Sequence, residues 1–248
     1  MGTQYRTHTF LVLIIGEYAR LIRWDRSGAV VTDRIEYNKT SELFDFFMRY
    51  NLADSEVRGH DGTVGTPTAG ELELALKNSD FVDVDDMAKT SFLAISIPIH
   101  DRTNPNRYII PAPVVRAEIP VGRWTRASKA YDVRGQKVVF LKDSWRMVIK
   151  DILPEREVYQ ILHKNSVPNI PRCVHAGDVS DDYGEYHQTH TQRFATATWN
   201  EDSPRHFILH QHHRLILTPI GRKLEKFRTS REMVAAVYSA LVGKLTSC

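Results

Sequence analysis

The chain has 248 residues, of which 42% are hydrophobic and 25% are charged, so it can bury a core of domain size. Its 33 basic and 30 acidic residues nearly cancel, which leaves a formal charge of +3. Basic residues are scattered rather than clustered, and this distribution argues against binding to nucleic acid or to an anionic membrane through a strong global field.

Cysteine usage and hydropathy set further limits. The two cysteines, Cys173 and Cys248, lie far apart in sequence, which excludes a disulfide-rich scaffold and favours a reducing, intracellular setting. The apolar run at residues 10–15 is shorter than a signal-peptide core and precedes charged residues. No stretch approaches the roughly 18 apolar residues of a membrane-spanning helix. We therefore expect an intracellular protein without a membrane partner.

The first elements are predicted to form a sheet. Residues 10–15, 19–24 and 29–32 are short runs of β-forming residues, and residues 25–28 between the last two have the composition of a tight turn. An antiparallel sheet is expected over these runs.

Two helices are predicted next. Apolar side chains recur at helical spacing from Leu43 to Tyr50, and Thr40 or Ser41 is available to cap the free amides at the start of this helix. A second helix is predicted at residues 72–76, after a stretch rich in glycine and proline.

A polar segment at residues 78–89 then interrupts the pattern and is our candidate domain boundary. Strands are predicted beyond it at residues 92–99, 108–110, 125–131 and 138–142, with a hairpin turn between the last two. The remaining predicted elements are a core-facing helix that Pro154 opens at its first position and that runs to His163, β-forming residues 167–176, a strand at 214–217 and a final helix at 230–245.

One lysine carries a chemical signal. Lys142 ends an apolar strand, where an unpaired ammonium group is costly to bury and needs a carboxylate or a phosphate as its partner. Two acids, Glu155 and Glu157, lie on the helix that follows. A strand lysine held by a helix glutamate is the ion pair with which protein kinases position nucleotide phosphates. A lysine that simply extends to solvent is the structural alternative.

Five segments together resemble a known family. They are residues 18–32 and 140–146, which are the most specific matches, together with residues 155–162, 167–172 and 213–224, which follow in the expected order. Their sequences are similar to the amino-terminal part of the fungal-type protein kinase family. The resemblance implies ATP-dependent phosphorylation of proteins on serine or threonine.

The resemblance also implies residue roles. Lys142 would contact the phosphates with Glu155 as its ion-pair partner, and Glu157 remains the alternative partner. Residues 121–127 would take the place of the loop over the phosphates, and residues 219–222 would line the adenine side through backbone groups. The implied nucleotide-binding residues are therefore Lys142, Glu155, Gly122, Pro219 and Gly221.

The sequence departs from the family pattern at two places. The phosphate-loop segment at residues 121–126 holds one glycine, so we expect ATP binding to be weak or lost. No catalytic aspartate or metal-binding residue follows Gly221, so we expect no turnover and no bound magnesium in this chain. The alternative is a pseudokinase-like module that binds nucleotide or protein without catalysis.

Histidines are frequent between His175 and His213, and a metal site there has to be considered. The residues around His187 and His190 do not favour a helix that would present both as ligands. We therefore interpret this segment as an exposed polar loop without a metal.

The final helix has an apolar stripe, with Val234, Val237 and Leu241 among its members, which is expected to be exposed unless another chain covers it. This stripe is the candidate surface for a protein substrate or partner. In sum, the sequence predicts an α+β fold with an amino-terminal sheet-and-helix unit at residues 1–88, a kinase-like small lobe with its hinge at 89–224, and the beginning of a truncated large lobe at 225–248.

Overall fold

The computed structural model describes residues 5–81, 90–98, 104–112, 121–181, 183–198, 207–222 and 224–246. Over these ranges the chain is a mixed α/β protein with two sheets and four α-helices. The helices are α1 (Glu42–Leu52), α2 (Ala69–Leu76), α3 (Glu155–Lys164) and α4 (Ser230–Thr246). The strands are β1 (Thr9–Ile15), β2 (Tyr18–Trp24), β3 (Ala29–Val31), β4 (Val64–Gly65), β5 (Phe92–Ile97), β6 (Asn106–Pro111), β7 (Arg126–Asp132), β8 (Lys137–Met147), β9 (Arg172–Asp178) and β10 (His210–Thr218). Among the described helices, none has both the length and the apolar character that a bilayer requires.

The smaller sheet has the predicted antiparallel order β1-β2-β3. The turn between β2 and β3 closes through a hydrogen bond of 2.9 Å from the amide of Asp25 to the carbonyl oxygen of Gly28. The Asp25 carboxylate accepts hydrogen bonds from the amides of His190 and Thr191 at 2.7 and 2.9 Å. A predicted turn residue therefore joins the small sheet to a segment far along the chain.

The first two helices form where the sequence predicts them, but one predicted cap is wrong. Ser41 precedes α1, yet its hydroxyl donates to the carboxylate of Asp45, and the Thr40 hydroxyl donates to the carbonyl oxygen of Glu36. The start of α2 does have a capping box, in which the side chains of Thr68 and Glu71 each bind the other's backbone amide.

The larger sheet has seven strands in the order β4-β5-β6-β7-β8-β10-β9, and all paired neighbours are antiparallel. Neighbouring strands lie about 4.8 Å apart, so β4 and β10 would be about 24 Å apart in a flat sheet. The guanidinium group of Arg214 on β10 nevertheless donates to Thr63, the residue before β4, at 2.7 Å. The sheet is therefore strongly curved, and its inner face closes on itself.

Apolar clusters cover both faces of this sheet. The inner face is fully buried and includes Ile95, Tyr108, Leu141 and Ile216 from four different strands. Helix α2 packs on the outer face of β5, β6 and β7. A third cluster joins the outer faces of β9 and β10 to Tyr159 of α3. The core thus lies inside the curved sheet, and helices α2 and α3 pack on its outer face.

Elements from both sides of the predicted domain boundary contribute to this sheet. Strand β4 pairs with β5, and α2 packs on the same sheet, although both precede residues 78–89 in the sequence. Residues 82–89 lie outside the described residues, and the division into three units stays a prediction.

Helix α3 differs from its prediction in two respects. It begins at Glu155, so Pro154 occupies the N-cap rather than the first helical position. The helix was expected to face the core, but its apolar side chains Val158 and Ile161 are 39% and 47% exposed. Tyr159 makes the packing contact instead, because α3 lies against β9 and turns the face that carries Tyr159 toward the sheet.

Because the inner face of the curved sheet is buried, replacing Ile216 on that face should cost far more stability than replacing the exposed Ile15. Replacing Ile216, which is fully buried, by alanine should lower the free energy of unfolding by about 2–5 kcal/mol, because the lost methyl groups leave a cavity. The matched change at Ile15, which is 65% exposed, should alter it by no more than about 0.5 kcal/mol. Urea unfolding of both variants measures the difference, and equal losses would contradict this assignment of the core.

Candidate functional site

The strand lysine of the sequence analysis is held by a glutamate. Lys142 lies in β8, and its ammonium nitrogen is 2.7 Å from each carboxylate oxygen of Glu155 in the first turn of α3. The predicted ion pair is confirmed, with Glu155 rather than Glu157 as the partner. Both side chains remain about one quarter exposed, so the pair adds at most about 1 kcal/mol to stability. Its main consequence is to fix the direction of the ammonium group.

A cavity of about 350 Å³ opens beside this ion pair. Its charged lining consists of Arg123, Lys142, Arg146 and Glu155, and apolar side chains at the start of α3 complete the wall. Lys142 is paired with Glu155 and Arg146 with the nearby Asp178, so Arg123 supplies the positive excess that suits a bound anion.

Arg146, in the wall of the cavity, is held in place by a second ion pair. The guanidinium group of Arg146 makes two hydrogen bonds to the carboxylate of Asp178, at 2.8 and 2.7 Å. His213 and Gln211 bind the same carboxylate at 2.8 and 2.6 Å. Burial by itself would raise the pKa of Asp178, but Arg146 and His213 hold that pKa well below its usual range. Arg146 is thereby fixed at the cavity rather than free in solvent.

The other implied nucleotide-binding residues do not all lie at this cavity. Gly122 adjoins Arg123 and has a φ of +98°, a conformation that favours glycine, but its amide donates to the carbonyl oxygen of Arg26 at 2.8 Å. Pro219 and Gly221 are exposed beyond the end of β10 and do not line the cavity. Pro219 is four residues beyond Leu215, the residue paired with Lys142, which is about 13 Å along a strand.

The opposite face of β8 carries a buried polar network that the sequence analysis missed. Successive strand residues point to opposite faces, so Asp143 lies behind Lys142. Its carboxylate accepts hydrogen bonds from Arg214 at 2.7 Å and from His212 at 3.0 Å. Arg214 also donates to Asp61 at 2.9 Å. All four side chains are almost completely buried.

The charges in this network depend on one another. Burial would raise the pKa of Asp143, but the neighbouring His212 and Arg214 hold that pKa far below its ordinary value. Removing one partner of such a buried pair leaves an uncompensated charge, which typically costs about 3–5 kcal/mol.

The prediction of an exposed histidine-rich loop is wrong. Strand β10 begins at His210, four residues earlier than predicted, and His210, His212 and His213 are all buried, as is His187. The ring of His212 stacks on Trp145 with centroids 4.9 Å apart. The signal in the sequence was the alternation of His212 and Arg214 directly before the apolar residues 215–217 of the same strand, with Asp143 in another strand to neutralise them.

The comparisons with known proteins agree with the resemblance seen in the sequence. The family model for the fungal protein kinase matches residues 3–246. The chain belongs to the fungal protein kinase family. The match spans both sheets and all four helices, so the small β1-β2-β3 sheet is part of the region shared with the family. Comparisons with curated proteins and with solved structures gave no match.

The depressed pKa of Asp178 predicts a pH dependence. A carboxyl group whose pKa is lower in the folded state stabilises the protein above its unfolded pKa, and this stabilisation is lost as the pH falls toward the folded value. The free energy of unfolding should therefore decline as the pH falls below about 4, by up to about 1.4 kcal/mol per pH unit from this group. Replacing Asp178 by asparagine should flatten that decline.

Urea unfolding at several pH values from about 5 to about 3 measures the two slopes. Asp54→Asn, at an exposed position, is the control and should retain the slope of the native chain. Indistinguishable slopes for Asp178→Asn and the native chain would show that the contacts with Arg146 and His213 do not stabilise the ionised carboxylate.

Proposed function

We propose that the cavity beside Lys142 binds the phosphates of ATP, and that the chain contains the nucleotide-binding part of a serine/threonine protein kinase domain. The observation that carries this proposal is the contact of Lys142 with both carboxylate oxygens of Glu155 at 2.7 Å. Phosphoryl transfer in kinases depends on such a pair, because the lysine must be aimed at the phosphates rather than at solvent.

The order of the elements supports the proposal. In protein kinases the phosphate-contacting lysine lies on the third strand of the small lobe, and its glutamate lies on the helix that follows. Counted from β6, the strand with Lys142 is the third, and α3 with Glu155 follows it before β9. The loop over the phosphates would then be the connection between β6 and β7, which includes Gly122.

The charge of the cavity supports the same ligand. Arg123, Lys142 and Arg146 line the cavity, and among the described residues Glu155 pairs with Lys142 and Asp178 with Arg146, so Arg123 is the excess cation. A triphosphate would be attracted there, whereas a neutral or cationic ligand would not. Pro219 and Gly221 lie past the carboxyl end of β10, beyond the residues of β10 that pair with β8. We assign the adenine to that side of the cavity.

Catalysis requires more than this cavity. Transfer of phosphate in kinases uses an aspartate base, an asparagine and a second aspartate that hold magnesium, all located after the hinge. The sequence after Gly221 contains neither aspartate nor asparagine. We therefore propose that the described residues bind nucleotide and do not themselves supply the groups that transfer its phosphate.

The nucleotide proposal predicts a thermal shift that depends on Lys142. At an ATP concentration ten times the dissociation constant, binding stabilises the folded chain by about 1.4 kcal/mol, or a rise in Tm of about 3–6 °C. Replacing Lys142 by methionine should abolish this rise because the phosphates lose their cation. Differential scanning fluorimetry with and without ATP measures the effect.

Two matched substitutions on α3 serve as a control for the ion pair. Glu155→Gln should weaken the ATP-dependent rise, because Lys142 is then no longer aimed at the phosphates, whereas Glu157→Gln on the same turn should preserve it. A rise of equal size in the native chain and in Lys142→Met would falsify the nucleotide site.

A second candidate function rests on α4. Its side chains at Val234, Val237, Tyr238 and Leu241 are 61%, 45%, 67% and 53% exposed. A contiguous apolar helix face of this kind is typical of a protein-binding surface. We propose that this face binds a protein substrate or partner through apolar contact.

The α4 face predicts binding of a hydrophobic fluorescent dye that depends on two residues. The native chain should bind the dye, and the double substitution Val237→Glu with Leu241→Glu should remove most of that signal because it places charges on the apolar face. The pair Arg231→Glu with Lys244→Glu, at polar positions of the same helix, is the control and should leave the signal unchanged. Equal dye binding by all three chains would exclude this face as the binding surface.

A further inference from the structure

Three potential metal ligands from distant parts of the chain meet on the inner side of the curved sheet. They are Asp61 before β4, His187 in the connection between β9 and β10, and His212 within β10. One ligand atom from each lies within 4.8 Å of the other two. The three residues are 5%, 9% and 2% exposed. The fold therefore brings together one carboxylate and two imidazoles that are far apart in sequence.

The two imidazoles each direct an unpaired nitrogen into this cluster. Among the described residues, the Nδ1 atoms of His187 and His212 are buried without a hydrogen-bond partner. They lie 3.9 and 3.8 Å from the carboxylate oxygens of Asp61, which is too far for a hydrogen bond. A buried polar atom without a partner is costly, so two of them around one carboxylate indicate a ligand between them.

The surrounding contacts orient these groups as metal ligands are oriented in proteins. The Nε2 atom of His212 lies 3.0 Å from both carboxylate oxygens of Asp143. When that nitrogen carries the proton and donates it to Asp143, the lone pair is on Nδ1 and points into the cluster. A carboxylate that holds the far nitrogen of a ligating histidine is the usual outer contact of such sites.

The other two ligands are prepared in a similar way. Asp61 is held by hydrogen bonds from Arg214 at 2.9 Å and from the amide of Thr63 at 3.0 Å. His187 is buried, and its Nδ1 has no hydrogen-bond partner among the described residues, so this nitrogen is available to a ligand in the cluster. The Asp61 carboxylate thus lies beside the two unpartnered Nδ1 atoms and is fixed in position by Arg214 and Thr63.

We propose that Asp61, His187 and His212 bind one divalent transition-metal ion, with zinc as the best fit. One carboxylate oxygen and two imidazole nitrogens are a ligand set that zinc accepts, whereas magnesium prefers an all-oxygen shell. Ligand atoms in a tetrahedral zinc site lie about 3.3–3.4 Å apart. The distances of 3.9 and 3.8 Å from the two imidazoles to Asp61 would have to contract by about 0.5 Å, and the widest spacing in the cluster, at most 4.8 Å, by up to about 1.4 Å. Three protein ligands leave the fourth position to water.

This ion is distinct from any magnesium that would accompany ATP. Strand β8 separates the two sites, because Lys142 points to the nucleotide cavity and its neighbour Asp143 points to the metal cluster. The metal would join the segment before β4, the connection that precedes β10, and β10 itself. Its expected role is therefore to cross-link the closed side of the sheet, and the proposal does not depend on nucleotide binding.

A proton is the competing occupant of the cluster. A hydrogen atom on Nδ1 of His212 would let that nitrogen move toward Asp61 and donate a hydrogen bond to it without any metal. The two occupants differ in a measurable way, since only the metal makes stability depend on zinc concentration.

The experiment measures zinc in the purified chain and its effect on unfolding. The native chain is produced with added zinc and dialysed. Inductively coupled plasma mass spectrometry should then find close to one zinc ion per molecule. After removal of metal with a chelator, added zinc should raise the Tm, and added cobalt should produce the visible absorption bands of a tetrahedral site. His187→Gln and His212→Gln should each lower zinc affinity by at least about tenfold.

His190→Gln is the matched control, because His190 lies three residues after His187 but outside the cluster, and it should retain full zinc affinity. Circular dichroism of each metal-free variant tests whether it still folds. Absence of zinc from the native chain together with an unchanged Tm on zinc addition would overturn the proposal, and so would equal zinc affinity in His187→Gln and His190→Gln. Neither result would bear on the ATP proposal, which is tested without zinc.

Discussion

The buried guanidinium group of Arg214 is the interaction on which the rest of the structure depends. It binds Asp143 on the adjacent strand β8 and Asp61 next to β4, the strand at the far edge of the sheet. A cation with two carboxylates in a dry interior needs both partners in place, because either carboxylate alone would be a costly buried charge. This requirement holds the sheet in its curved form and closes the inner face over the apolar core.

Strand β8 then divides the chemistry of the protein between two faces. Its alternating side chains place Lys142 and Arg146 at an open, cationic cavity, and they place Asp143 and Trp145 in the closed interior. The curvature imposed from the inner face also sets the position of β10 and therefore of His213, which helps to hold Asp178 and Arg146 at the cavity. The candidate nucleotide site thus depends on a network of buried charges that it does not contact directly.

The parts of the fold that were predictable depend on local patterns. The hairpin at residues 25–28, helix α1 and the Lys142–Glu155 pair all lie within short stretches whose periodicity or spacing is visible in the sequence. The prediction for the histidines was wrong for the opposite reason. A run of polar residues from His210 to Arg214 has the composition of a loop, and only Asp61, Asp143 and Asp178, supplied by three other segments, make its burial possible.

By itself the sequence determined the family, the identity of most strands and helices, and the lysine and glutamate that form the candidate phosphate site. The tertiary structure alone decided that the larger sheet curves, that Arg214 reaches Asp61, and that His187 meets His212. The physical reason is the range of the interactions. Hydrogen-bonded turns and amphipathic periodicity act between near neighbours in sequence, whereas the burial of a charge is decided by partners that only the folded chain brings within about 3 Å.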